Sequence, residues 1–462
     1  IISLLVAAVI IILIRKVFNI TRWHGPPDAI LAAHQSNNSI DVKRGLGSTL
    51  TAFVSASGGA SVGQYGPLVH FGATVATFLE NFTSKRLPPG IFIGCGVAAA
   101  ISAGFNAPIA GLVFAHEAVL RHFSLRAGGA IAISSITAST IGSGVFKETL
   151  GLKIISDAPP LIEIVPIVLI CSPIFGVLAI FFMYSIRLGG KISKASRLSP
   201  SYQILFAALI CGSIGLFVPE ILGLGTNEMN NIFANQYEII FLFIILIGKV
   251  FMTSLCIGFG FFGGIFAPAL YVGAAGGGFI ANSLIAVGFS LSLPALALAG
   301  TAAVGAVAIG APIATTLIIL EFTGSYEFAV AAMIAVQVST FMAHRLYGDS
   351  LFDMALNDRG FKIGLGRQHI QMNDIPLSKI LSSDALTFNE SLKIKDVNLQ
   401  MLNKEVTEAV VINSDNIYIG KISIHDILQT NLDHEIKIKS LIKNTHLVLD
   451  SKVSLLESIE AA

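Results

Sequence analysis

Charge is the scarcest thing in this sequence. Asp, Glu, Lys and Arg make up 12% of the 462 residues, about half of the ~25% usual for a soluble domain. Low charge density, long apolar runs and a formal net charge of +1 argue against nucleic acid as a partner. Cysteine is also sparse. Cys95, Cys171, Cys211 and Cys256 lie in apolar stretches without a Cys-x-x-Cys pair. They read as small buried hydrophobes, with no disulfide and no metal cluster. The opening run over 1–14 lacks the basic start and small-residue cleavage site of a secretory leader. No catalytic serine motif stands out. His116-Glu117-Ala118-Val119-Leu120 begins like the zinc-protease pattern, but the second ligand must share a helix face four residues on, and Leu120 stands there. A membrane-embedded enzyme is therefore the weakest reading, and zinc bound at that motif in purified protein would reopen it.

Apolar residues are abundant, at 54% with a mean hydropathy of +0.78. Much of the surface must face lipid, which makes an integral, multi-pass membrane protein the expectation. Apolar segments recur at 1–14, 47–62, 67–81, 90–104, 107–120, 127–143, 161–187, 203–218, 238–258, 266–287, 292–309, 311–322 and 326–343. A full helical crossing needs about 20 residues, so several of these enter without spanning or cross at a tilt. Arg15, Lys16 and Arg22 follow the first run, which marks that end as cytoplasmic.

Two breaks in this apolar chain are built alike. One is Gly63-Gln64-Tyr65-Gly66-Pro67, the other Gly264-Ile265-Phe266-Ala267-Pro268. Each proline is followed five residues later by a glycine, Gly72 or Gly273. About 40 residues on come Ala107-Pro108-Ile109-Ala110 and Ala311-Pro312-Ile313-Ala314, and nine residues past those prolines stand Glu117 and Glu321. A repeat of broken apolar segments points to a transport protein with its site between two related halves. Irregular backbone at membrane depth must be buried or line a cavity.

The chemistry of such breaks suits an anion. Amides at helix starts supply a partial positive potential, weaker than a full charge that would hold the ion too tightly for rapid flow. Glycine permits close backbone approach, and proline fits the first turn, where its missing N–H costs little. The alternative is a plain helix kink, which the matched repeat disfavours. A third such start is Trp23-His24-Gly25-Pro26-Pro27-Asp28, where Asp28 suits the positive helix end and Trp23 an interfacial turn.

After Leu356 the composition turns polar, from Asn357-Asp358-Arg359-Gly360 onward. The expected organisation is a membrane domain over 1–356, a linker over 357–375, an α/β unit over 376–434 and a partial second copy over 435–462. Strands are expected at 406–413 and 417–422 around a turn at 414–416, with a short helix over 424–428. Lys439-Ser440-Leu441-Ile442 resembles Ser378-Lys379-Ile380-Leu381.

The membrane part resembles the CLC family of chloride channels and proton-coupled chloride antiporters. The family signatures GSGIP, GREGP and GxFxP read here as His24-Gly25-Pro26-Pro27, Gly63-Gln64-Tyr65-Gly66-Pro67 and Gly264-Ile265-Phe266-Ala267-Pro268. A FNAPLAG-type helix reads Phe105-Asn106-Ala107-Pro108-Ile109-Ala110-Gly111. The resemblance implies an all-α membrane protein with an inverted repeat of broken and tilted helices, two further helices ahead of Ile1, a homodimer, and an anion pathway in each subunit. The tail resembles cystathionine-β-synthase-type (CBS) domains, which implies at most a nucleotide there; no other cofactor is expected. Chloride or a similar anion, lipid and a second copy are the implied partners, in a bacterial inner or plasma membrane.

Three departures from the family pattern bear on function. Tyr65 stands at the gating glutamate. A phenol with a reference pKa of about 10 neither repels chloride nor cycles a proton near neutrality, though its O–H can donate to the ion or close the path. Its alternative role is a packed aromatic away from the path. Ala118 stands at the inner proton-relay glutamate. His116 and Glu117 are the only substitute relay in view; their alternative is pairing with Arg121 and Arg126 at a helix end. His24 replaces the chloride-binding serine, where it either tunes the ion site or anchors beside Trp23. Phe352 replaces the pathway tyrosine, so Tyr65 takes over its hydroxyl role.

The resulting expectation is a passive anion channel. Tyr65 is the gate; Gly63, Gln64, Gly66, Gly264, Ile265, Phe266 and Ala267 surround the ion; His24, Gly25, Pro26 and Phe352 line the inner path. A proton-coupled antiporter is the nearer alternative. A fluoride exporter fits less well, because Gly66-Pro67 keeps the chloride-type pattern, and a non-conducting sensor built on the tail would show no anion flux.

Overall fold

The computed structural model describes residues 1–35, 40–83, 88–145, 158–361, 372, 375–381, 385–429, 436–442 and 448–461. The expected linker over 357–375 lies largely outside the described residues, and so does the boundary expected at 434–435. The chain divides into two compact units, Ile1–Arg367 and Gln368–Ala462.

The first unit is helical. In chain order it contains α1 (Ile2–Val17), α2 (Pro26–His34), α3 (Val42–Ser57), α4 (Tyr65–Glu80), α5 (Pro89–Phe105), α6 (Pro108–Phe114), α7 (Leu125–Val145) and α8 (Leu161–Ala195). There follow α9 (Pro200–Ile214), α10 (Thr226–Phe233), α11 (Ile239–Gly258), α12 (Phe266–Ala286), α13 (Leu293–Ile309), α14 (Pro312–Thr323), α15 (Tyr326–Leu346) and α16 (Leu351–Asn357). Among the described residues, Leu161–Ala195, Ile239–Gly258, Phe266–Ala286 and Tyr326–Asn357 are long and apolar enough to cross a membrane. Many of the others are short, as the segment lengths require.

The series α3–α7 is repeated by α11–α15, and the same devices recur at matching positions. Helices α4 and α5 cross where a side chain on Gly72 would strike the Gly96 carbonyl; α12 and α13 cross where one on Gly273 would strike Gly300. Asn106 (φ 52°) and Gly310 (φ 73°) end α5 and α13 in the left-handed conformation. Pro108 and Pro312 then open α6 and α14.

The two halves cap each other. Glu117 accepts hydrogen bonds from the amides of Ile313 (2.9 Å) and Ala314 (2.7 Å) at the start of α14. Glu321 accepts from Ile109 (2.9 Å) and Ala110 (2.7 Å) at the start of α6. A carboxylate satisfies the unpaired first-turn amides and the positive end of the dipole together.

Two segments differ from the sequence expectation. The run over 107–120 changes its winding: α6 passes directly into a π-helical turn over Ala115–Leu120, which ends at Arg121 with φ 58°. Helix α8 continues to Ala195, past the polar residues that follow 187, with Pro166 and Pro173 inside it.

Among the described residues, the second unit contains a three-stranded sheet in the order β1 (Thr387–Asn389), β2 (Glu408–Ile412), β3 (Tyr418–Ser423). Strand β1 pairs parallel with β2, and β2 antiparallel with β3. The latter two lie inside or close to the expected strands. Helices α17 (Ile394–Asn403), α18 (Ile424–Gln429) and α19 (Leu455–Ala461) complete it. Phe388, Val397, Met401, Val411, Ile422 and Ile427 form its core. Strand β1 and α17 were not expected, because the run over 386–403 mixes polar and apolar residues without a clean period.

Candidate anion pathway

Three helix starts converge in the first unit. Gly63 and Gly264, each just ahead of its helix, pair as an isolated antiparallel bridge. The Gly63 amide donates to the Gly264 carbonyl at 2.7 Å, and the Gly264 amide to the Gly63 carbonyl at 2.6 Å. A Cβ on Gly66 would lie 2.9 Å from the Gly264 Cα and 3.5 Å from Pro26 Cγ. The openings of α4 and α12 thus approach more closely than a side chain on residue 66 or 264 would permit, and the opening of α2 lies alongside.

These starts are electropositive. Gln64 and Ile265 precede α4 and α12, and neither caps its helix with a side chain. First-turn amides there have no intrahelical partner, so their partial charges sum at one place. The α2 start is tempered: Asp28 Oδ2 accepts from the Gly25 amide at 2.9 Å.

A cavity of about 340 Å³ opens beside these starts. Gly25, Pro26, Gly66, Gly264, Ile265 and Phe352 line it, and the sequence reading had named all six. Arg187, Phe262, Met354 and Arg359 also line it and were missed. Phe262 stacks on Trp23 at 5.4 Å. Arg187 and Arg359 bring positive charge, partly offset by Asp358 and Asp28 at 3.3 and 3.0 Å. The two arginines carried no motif; only the fold brings them near α2. A second cavity, of about 260 Å³, is lined by Gln64, Pro67, Leu68, Thr49 and Phe53. The first turn of α4 therefore contributes to both.

Tyr65 is among the lining residues of neither cavity. It is 7% exposed. Its ring stacks on Phe105 with centroids 3.5 Å apart and meets Phe266 edge-on at 6.0 Å. Phe105 continues the cluster to Phe322. The phenol is thus packed against protein at the start of α4. Gly63, Phe266 and Ala267 are buried beside it.

His24 does not line the 340 Å³ cavity. Its Nδ1 lies 4.0 Å from Asp28 Oδ1, and its ring meets His70 edge-on at 6.1 Å. Trp23 lies under Arg15, whose guanidinium is 5.4 Å from the ring centre.

The pairing expected of His116 and Glu117 with Arg121 and Arg126 is corrected. Glu117 caps α14, as described above. His116 Nδ1 pairs with the Leu112 carbonyl, and its ring stacks on Phe123. Arg121 instead bonds Asp353 at 2.6 Å. The reason is the π-turn, which re-aims the side chains of 115–120 relative to a continuing α-helix.

Lys249 also escaped the sequence reading. It is fully buried in α11, donates to the carbonyls of Ile221 (3.3 Å) and Gly223 (2.8 Å), and lies 4.9 Å from the centre of the Tyr271 ring. A lone lysine in an apolar run was the available signal.

Comparison with known proteins fits this geometry. The family model described as voltage gated chloride channel matches residues 6–344. The voltage-gated ClC-type chloride channel ClcB of Escherichia coli O81 (strain ED1a) is 27% identical over 349 residues, covering 72% of this chain and 81% of the relative. The H(+)/Cl(-) exchange transporter ClcA of Vibrio cholerae serotype O1 (strain ATCC 39541 / Classical Ogawa 395 / O395) is 29% identical over 334 residues, 69% of each chain. Among solved structures, a slow cyanobacterial Cl-/H+ antiporter superposes with a TM-score of 0.68 at 21% identity, covering 78% of this chain and 87% of that one.

Proposed function

The chain belongs to the voltage gated chloride channel family, and from that premise we propose that it conducts chloride or a similar anion passively, without proton coupling. Residues 65 and 118 carry the proposal. Tyr65 and Ala118 offer no carboxylate where proton-coupled relatives carry theirs, and Glu117 is engaged as a helix cap. The ion would rest against the amides that open α4 and α12, beside Gly66, Ile265 and Phe266, and reach the inner side past Gly25, Pro26 and Phe352. Weak, preorganised dipoles of this kind select anions while permitting release.

The experiment is a reversal-potential measurement on reconstituted protein. A passive pore follows the chloride gradient and ignores a superimposed pH gradient. A potential that moves with pH by a fixed ratio overturns the proposal in favour of exchange. That second reading draws support from the relatives described as exchangers or antiporters. The same recording separates both from a sensor that moves no anion.

The assembly we propose is a homodimer in a bacterial inner membrane. Ile109 on α6, Ile133 and Ile136 on α7 and Ile313 on α14 are roughly half exposed or more. They present an apolar surface suited to a second copy or to lipid. The second unit is proposed to be CBS-like, with a nucleotide as its ligand.

A further inference from the structure

We propose that His24, Asp28 and His70 form a binding site for a divalent transition-metal cation such as Zn2+, beside the start of α2. One ligand atom from each lies within 4.8 Å of the others. No motif joins them: His24 precedes α2, Asp28 lies in its first turn, and His70 comes from α4.

The hydrogen bonds around His70 fix its state. This side chain is fully buried. Thr74 Oγ1 donates its one proton to the His70 carbonyl at 2.7 Å and lies 3.2 Å from His70 Nδ1. With that proton spent, the hydroxyl can only accept from the ring, so Nδ1 carries the hydrogen. Nε2 is then a bare lone pair, and it has no hydrogen-bond partner among the described residues. A buried polar atom left unpaired is destabilising, and a bound cation would relieve it. A metal-binding imidazole has this same arrangement: one nitrogen donates to a fixed acceptor while the other offers its lone pair.

The ligand set fits the cation class. Two imidazoles and one carboxylate suit zinc and its neighbours in the first transition row. Metal–ligand bonds of about 2.0–2.1 Å at tetrahedral angles hold donors about 3.3–3.4 Å apart, so the widest pair must close by roughly an ångström or more. His24, in the turn ahead of α2, supplies that movement. The opposing charges are Arg22 and Arg359, bonded to Asp28 Oδ1 at 2.6 and 3.0 Å. Arg22 is half exposed and is the partner displaced. Asp41 and Arg44 lie farther out and pair with each other. Two nearby guanidiniums weaken a cation's hold, which makes the site one that fills and empties with supply. A dication there would deepen the potential well for an anion at the α2 start and slow its release.

Zn2+ binding to the purified full-length chain tests this by equilibrium dialysis, with Co2+ absorption as the coordination readout. The wild type should bind one equivalent per chain. Both His70→Gln and His24→Ser should weaken that binding at least tenfold and abolish the bands of low-coordinate Co2+. Zn2+ on the side of residue 24 should slow chloride efflux from liposomes at least threefold in wild type and leave His70→Gln unaffected. If His70→Gln fails to fold, His24→Ser carries the comparison. Equal binding by wild type and variants overturns the proposal. The binding readout stands apart from the mode of transport, so a coupled flux would sink the passive reading and leave this site intact.

Discussion

Gly63 and Gly264, 201 positions apart in the sequence numbering, exchange two backbone hydrogen bonds and so join the two halves of the membrane unit at their centre. A Cβ on Gly264 would lie 2.6 Å from the Gly66 amide nitrogen. Gly264→Ala should therefore cut chloride flux per folded molecule by roughly tenfold or more, equivalent to ~1.4 kcal/mol at the least. Gly128→Ala, in α7 with open space around it, serves as the control and should leave flux unchanged. Liposome efflux, normalised to monodisperse protein, decides between them.

Glu117→Gln and Glu321→Gln should behave as a matched pair. Each removes a carboxylate that holds two helix-start amides. Each should cost about 1–2 kcal/mol, read as a fall in thermal midpoint in detergent. Neither should alter the response of the reversal potential to pH. A change confined to Glu117→Gln would restore that residue as a proton carrier.

At residue 65, two substitutions separate ring from hydroxyl. Tyr65→Phe keeps the stack on Phe105 and should fold normally while lowering anion conductance or selectivity. Tyr65→Glu should close the path near neutrality, when the carboxylate is ionised, and reopen it as acid neutralises that charge. Half-recovery should fall at or above the reference carboxyl pKa of about 4.3. Parental behaviour of both variants would remove residue 65 from the ion's surroundings.

Lys249→Met should be among the most destabilising substitutions in the membrane unit. It strips partners from the Ile221 and Gly223 carbonyls, at about 1–3 kcal/mol for each group left buried and unpaired. Loss of monodisperse protein on size-exclusion chromatography is the expected observation.

Much of the membrane architecture was legible because its devices are local. Glycine and proline mark the broken starts, and the doubled Ala-Pro-Ile-Ala marks the repeat. The left-handed helix ends at Asn106 and Gly310 lie one or two residues past the apolar runs that end at 104 and 309. What was not legible depends on distant chain segments meeting. Arg359 reaches Asp28, His70 reaches His24, and Glu117 reaches α14 only through the fold. The π-turn was invisible for a related reason: its residues have ordinary helical propensities, and the packing of α6 against α14 decides the register.

The mutual capping of α6 and α14 has a consequence for biosynthesis. When Ile109 is added to the growing chain, the glutamate that quiets its amide is still 212 residues from being made. A nascent first half must wait, its donors open, for the second to arrive. A half on its own could satisfy those donors with the matching glutamate of another copy, an arrangement that the single polypeptide now holds within itself.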